Sequence, residues 1–207
     1  GVAGAETQEI SKARVNLTVI GVALGTFLAA LDITIMGTAM PTIVGYLGGI
    51  HIYSWAFSSY FLASVVATPI FGKLADMYGI RRVYLVAIGT FVVASVLCGM
   101  SQNMPMLIVF RGFQGMGGGS LMALSLTILG VLFPPERLGR TMGVMNAVWG
   151  TAAIAGPLIG GILVEQISWR WIFYINLPTG FVAAAFVIFG LGQSQGVRSR
   201  GRPDYLG

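Results

Sequence analysis

One cysteine, one histidine and seven acidic residues leave this 207-residue chain little from which to build a catalytic or metal centre. A lone thiol, Cys98, excludes an internal disulfide and a thiolate metal cluster. His51 stands by itself in a gap between apolar runs, where a solvated ring is the expectation. No nucleophile–base set and no phosphate-cradling loop is present, which argues against an enzyme and calls for no cofactor and no metal. Charge is scarce as well. Only 9% of the residues are charged, against roughly 25% in soluble domains. Hydrophobic residues make up 56%, more than one compact core of this length can hide, so the surplus must face lipid.

What the chain does have is long apolar runs. A spanning helix needs about 20 mainly apolar residues. Six stretches meet that length: Val15–Val44, Trp55–Leu74, Val83–Met100, Met106–Leu132, Thr141–Val164 and Trp171–Leu191. Thirty glycines and ten methionines suit closely packed helices better than a barrel, whose strands would alternate in polarity. The predicted fold is all-α, a polytopic six-helix membrane bundle, with a 3+3 inverted repeat suggested by the span count. Residues 1–14 are expected to be a cytoplasmic segment, 15–191 the six-helix domain and 192–207 a cytoplasmic linker. The first run is read as a retained helix and not as a cleaved signal, because its apolar character continues past Asp32.

The basic residues orient these spans. The net charge of +5 comes mostly from lysines and arginines in short gaps, so they do not form a stripe for nucleic acid. Lys12 and Arg14 precede the first span, and Lys73, Arg81 and Arg82 separate the second from the third. Arg137 and Arg140 separate the fourth from the fifth, and Arg198, Arg200 and Arg202 follow the sixth. The alternate gaps hold only Arg170. By the positive-inside rule both ends are cytoplasmic, as an even number of spans requires. Trp55, Trp169 and Trp171 then fall at outer ends, where indoles favour the interface.

A few residues break the apolar pattern. Asp32 sits midway along the first span, where an ionised carboxylate costs about 2.5–3.5 kcal/mol and needs a partner, a water-filled cavity or a proton. The bland alternative is a carboxylate bonded to nearby backbone around Pro41. Arg111, early in the fourth span, cannot lose its proton and must be paired, face water or snorkel to the outer surface. Gln114 lies one turn away and can share its surroundings. Between the second and third spans, Gly72 to Arg82 packs Gly72, Asp76, Gly79, Arg81 and Arg82 into a short charged turn, with Gly79 permitting a tight reversal. In the fifth span Gly150, Gly156, Pro157, Gly160 and Gly161 give a groove for a neighbouring helix and a bend. Aromatic residues within the runs, such as Tyr60, Phe57 and Trp149, more often face lipid or other helices than a pocket.

In this order these pieces resemble the major facilitator superfamily, in particular its fourteen-span drug:proton antiporter branch. The resemblance rests on Leu31-Asp32-Ile33-Thr34 with Ala39-Met40-Pro41, on Gly72–Arg82, on Arg111–Gly119, on Gly150–Gly161 and on Ser168–Pro178. It implies proton coupling at Asp32, influenced by Arg111, and a cytoplasmic latch made by Asp76 with Arg81. It also implies an export-associated bend at Gly156 and Pro157. Met77 and Ile80 stand where the family often has basic residues, and Ala152 where the antiporter motif has glycine. The implied partners are protons, amphipathic or cationic small molecules, the lipid bilayer and a second six-helix half, with no nucleic acid. The implied location is the plasma or inner cell membrane. Two rivals remain on this reading: a specific exporter or uniporter of the same fold, and a half-length non-transporting membrane module or fragment that pairs with a partner or with itself.

Overall fold

A computed structural model describes residues 12–191. They form α1 (Lys12–Leu47), α2 (Trp55–Tyr78), α3 (Ile80–Gly99), α4 (Met104–Leu132) and α5 (Pro135–Gln166). A sixth span follows in two pieces, α6 (Trp171–Tyr174) and α7 (Asn176–Gly190). Counted as one span, the last two complete six helices long and apolar enough to cross a membrane. The described residues contain no strand. The segments expected on either side, residues 1–11 and 192–207, lie outside the described residues, and Lys12 to Arg14 already belong to α1.

Local chemistry explains where the helices start and stop. Asn103 caps α4, its side chain accepting the Met106 N–H at 2.9 Å, and Pro105 follows where no helical donor is needed. The region expected to be a turn from Gly72 to Arg82 is mostly helix. α2 runs on to Tyr78 and α3 begins at Ile80, leaving Gly79 alone between them. Its φ of +91° is a conformation that residues with a Cβ rarely adopt, and this is how one residue reverses the chain. The sixth span is interrupted at Ile175. Pro178 has no N–H for the Tyr174 carbonyl one turn back, so the helical ladder loses a rung there.

Packing follows a repeat of three helices. α1 packs chiefly on α5 and α7, and α4 packs chiefly on α2 and α3. Exchanging the first, second and third spans for the fourth, fifth and sixth therefore maps the main contacts onto one another. Three spans are an odd number, so the second triplet necessarily runs inverted. Glycines set the closest approaches. A Cβ on Gly117 would lie 2.6 Å from the Phe91 backbone nitrogen, and one on Gly115 would strike the Tyr60 carbonyl. On α5, Gly156 lies against Thr34 and Gly160 against Ile35 of α1, while Thr34 Oγ1 donates to the Ala152 carbonyl at 3.0 Å. Gly150 and Gly161, on the same helix, face open space.

The interior holds two large apolar clusters and a small third one of Ala30, Leu31 and Ala152 between α1 and α5. One large cluster contains Leu28, Phe71, Tyr84, Phe91, Leu121 and Val187; the other contains Ile35, Met36, Cys98, Leu107, Trp169 and Phe173. Outside, Val65 of α2 and Ile154 of α5 are both 71% exposed, an arrangement that suits lipid or another helix bundle and not water.

Candidate functional site

Between the two large clusters lies a thin polar layer. On α1, Asp32 separates Leu28 below from Ile35 above. On α4, Arg111 and Gln114 separate Leu107 from Leu121. Ser95 on α3 and Asn176 at the start of α7 occupy the same boundary. All five are buried, with Asp32 and Arg111 each 1% exposed.

The layer is held by donors converging on one carboxylate. Arg111 Nη1 donates to Asp32 Oδ2 in the one ion pair formed among the described residues. The same nitrogen donates to Gln114 Oε1 at 2.7 Å. Asp32 Oδ1 accepts from Gln114 Nε2 at 2.8 Å and from Asn176 Nδ2 at 3.1 Å. Those two amides also donate to Ser95 Oγ, at 2.7 and 3.2 Å, so two donors bridge two acceptors. The Arg111 guanidinium carbon lies 4.4 Å from the centre of the Tyr60 ring, whose face favours a cation. Cys98 Sγ contacts Gln114 Oε1 at 3.5 Å.

This geometry decides between the alternatives left open by the sequence. Asp32 is bonded to three side chains on two other helices, α4 and α7, and not to backbone near Pro41. Arg111 does not snorkel. It lies early in α4, but Met104, Leu107 and Trp169 form an apolar cap beyond it. An ion taken from water costs several kcal/mol even after relaxation, and only pairing with further hydrogen bonds offsets that cost.

Sequence reasoning missed two members of the layer and the Tyr60 ring that borders it. Ser95 and Asn176 are neutral polar residues inside apolar runs, and Tyr60 was passed over as one aromatic among several. The available signal was Asn176 breaking an apolar stretch two residues before Pro178.

The other sequence-predicted residues fall elsewhere. Asp76 is exposed on the last turn of α2, and Arg82 is exposed on α3. Arg81 Nη2 donates to the Ile188 carbonyl at 2.9 Å, tying the start of α3 to the end of α7, and forms no ion pair with Asp76. Gly72 faces open space. Gly150, Gly156, Pro157, Gly160 and Gly161 all lie within α5, which continues through Pro157. At the opposite end, Trp55 and Trp171 are exposed as interfacial indoles would be, but Trp169 is buried. Arg170 accounts for this correction: its guanidinium lies 4.4 Å from the Trp169 ring centre and donates to the carbonyls of Gly99 and Ser101 at 2.6 and 2.9 Å. It thereby closes the end of α3, whose last carbonyls have no helical partner.

A family model described as Major Facilitator Superfamily matches residues 22–205. The chain belongs to that superfamily. Its curated relatives in the superfamily include Multidrug transporter protein MdtP of Bacillus subtilis, 44% identical over 89% of this chain. Multidrug resistance protein 3 of the same organism is 43% identical over 88%, and Efflux pump dotC of Dothistroma septosporum is 41% identical over 86%. These alignments cover 34%, 36% and 30% of the relatives, so the chain spans about a third of their length. It is a multi-pass membrane protein of the major facilitator superfamily, represented here by a six-helix bundle.

Proposed function

We propose that the transporter to which this bundle belongs exports amphipathic, often cationic, small molecules in exchange for protons, with Asp32 as the proton-carrying group. The observation that carries this reading is the Asp32 carboxylate, buried between two apolar clusters and paired with Arg111. Such a group has two chemically distinct states. Ionised, it neutralises Arg111 and draws α1 to α4. Protonated, it releases the guanidinium, and a dry interior magnifies the difference between the two. Coupling of this kind lets proton entry from one side alter helix packing. The names of the relatives, multidrug transporters and efflux pumps, support export as its direction and small molecules as its cargo.

On this reading the substrate lies near mid-membrane between this bundle and a second six-helix half, and moves without chemical conversion. The lipid-facing surfaces of α2 and α5 sit in a plasma or inner cell membrane with both ends of the bundle cytoplasmic, as the basic gaps require. Gly72, Asp76, Gly79, Arg81 and Arg82 make the cytoplasmic latch, with Asp76 and Arg81 meeting when that side closes. Gly156 and Pro157 set the α5 bend used in export.

The test is Asp32→Asn in the full-length transporter reconstituted in sealed vesicles. Uphill export driven by an imposed pH gradient should be lost, while downhill equilibration of the same substrate continues. Gradient-driven export at the normal rate would overturn the assignment. Wild-type transport indifferent to the gradient would instead identify a uniporter.

A further inference from the structure

Three residues donate to Asp32, and they differ in whether they can do anything else. Arg111 has only donors. Gln114 has an acceptor, Oε1, but that atom is occupied by Arg111 Nη1 at 2.7 Å, so its amide is pinned with Nε2 toward the carboxylate. Asn176 is not pinned. Its Oδ1 is buried and has no partner among the described residues, while its Nδ2 donates to Asp32 Oδ1 and Ser95 Oγ. A buried, unpaired amide oxygen is costly and calls for an explanation.

Protonation of Asp32 supplies one. A carboxylate can only accept, so beside the ion Asn176 must present Nδ2 and leave Oδ1 stranded. Once Oδ1 of Asp32 carries a proton, that oxygen is a donor. Rotation of the Asn176 side-chain amide by half a turn then brings its Oδ1 to accept the new O–H. No covalent bond changes beyond the uptake of the proton.

We infer that Asn176 is a positioning residue for the proton site, setting the proton affinity of Asp32 by serving as donor to its ionised form and acceptor to its protonated form. This rests on the reading of Asp32 as a proton carrier, and it names the element that feels the change. Asn176 is the first residue after the interruption at Ile175, so the protonation state of α1 is sensed where the sixth span is already broken.

The two services are unequal. A hydrogen bond to a charged acceptor is roughly twice as strong as a neutral one, so Asn176 on balance favours the ionised form. Removing the amide should let Asp32 hold its proton to higher pH, by about one unit, a tenfold change in proton affinity.

The experiment uses the full-length transporter and infrared difference spectra of the protonated carboxyl stretch, assigned to Asp32 by its loss in Asp32→Asn. In Asn176→Leu the titration midpoint of that band should move up by about one pH unit, and in Asn176→Gln, which restores an amide, it should return toward wild type. Asn176→Ala makes the same test without a branched side chain should Asn176→Leu not fold. A midpoint unchanged in the amide-free variants, with only slower turnover, would mean that Asn176 merely packs, and would overturn the inference. Failure of Asn176→Gln to recover any of the shift would overturn the role of the amide. Export measured alongside keeps the two proposals apart. A shifted band with gradient-indifferent export sinks the antiport reading alone, whereas coupled export with an unmoved band sinks this one.

Discussion

Consider Arg111→Met and Asp32→Leu, made singly and together in the full-length transporter. Either single change leaves an ion without its partner in a dry layer, a situation that costs about 3–5 kcal/mol. The two orphans are not equivalent. The guanidinium cannot shed its proton, so Asp32→Leu leaves a permanent cation with Gln114 Oε1, the Ala56 carbonyl at 3.4 Å and the face of Tyr60 for company. Arg111→Met leaves a carboxylate that still accepts from two amides and can neutralise itself by taking a proton. Asp32→Leu should therefore sit at the upper end of the range and Arg111→Met at the lower. The double variant removes both ions and retains only a repacking cost of about 1–3 kcal/mol. The pair thus shows a coupling of at least about 3 kcal/mol. Each single variant should therefore lower the unfolding temperature by several degrees, and the double by less than either. Thermal unfolding in mild detergent, followed by loss of the monodisperse peak, reads these values. Additive losses, or Arg111→Met proving the more damaging single change, would refute the reasoning.

Two further outcomes follow from packing. Gly117→Ala places a methyl 2.6 Å from the Phe91 backbone nitrogen, so α3 and α4 must separate, at about 1–3 kcal/mol; Gly150→Ala, facing open space, should be neutral or slightly stabilising in the same unfolding assay. Equal effects at the two positions would remove close helix approach as the reason for Gly117. Arg170→Met strips two charge-assisted bonds from the carbonyls of Gly99 and Ser101 and should speed amide exchange at the end of α3, with a stability loss of about 1–3 kcal/mol; unchanged exchange there would show that the cap carries no weight.

The spans were legible because lipid leaves a helix no choice but a long apolar run, and the charge of Asp32 and Arg111 made both conspicuous against it. Their meeting was not legible. Seventy-nine residues separate them along the chain, and counting along a span gives depth but not what covers it. Arg111 is buried because other helices close over it, a property of packing that one-dimensional position does not carry. Asn176 stands 144 residues from Asp32 and bears no charge to mark it. The Gly72–Arg82 segment read as a loop because its polar residues outweighed its helix propensity, whereas both helices extend beyond their apolar stretches to meet at Gly79. Trp169 read as interfacial from its place beside a gap, and only the stacked Arg170 reveals why it turns inward.

That single-residue joint has a mechanical consequence. Successive Cα atoms are held about 3.8 Å apart, so the ends of α2 and α3 can never separate by more than about 7.6 Å. The two helices can swing about Gly79, but one cannot slide along the other by even two turns of helix. Any displacement of the end of α2 is handed on to α3 without slack, as by a hinge pin, while their relative angle stays free. An inserted run of flexible residues at Gly79 would act as a clutch, leaving each helix intact while uncoupling their motions.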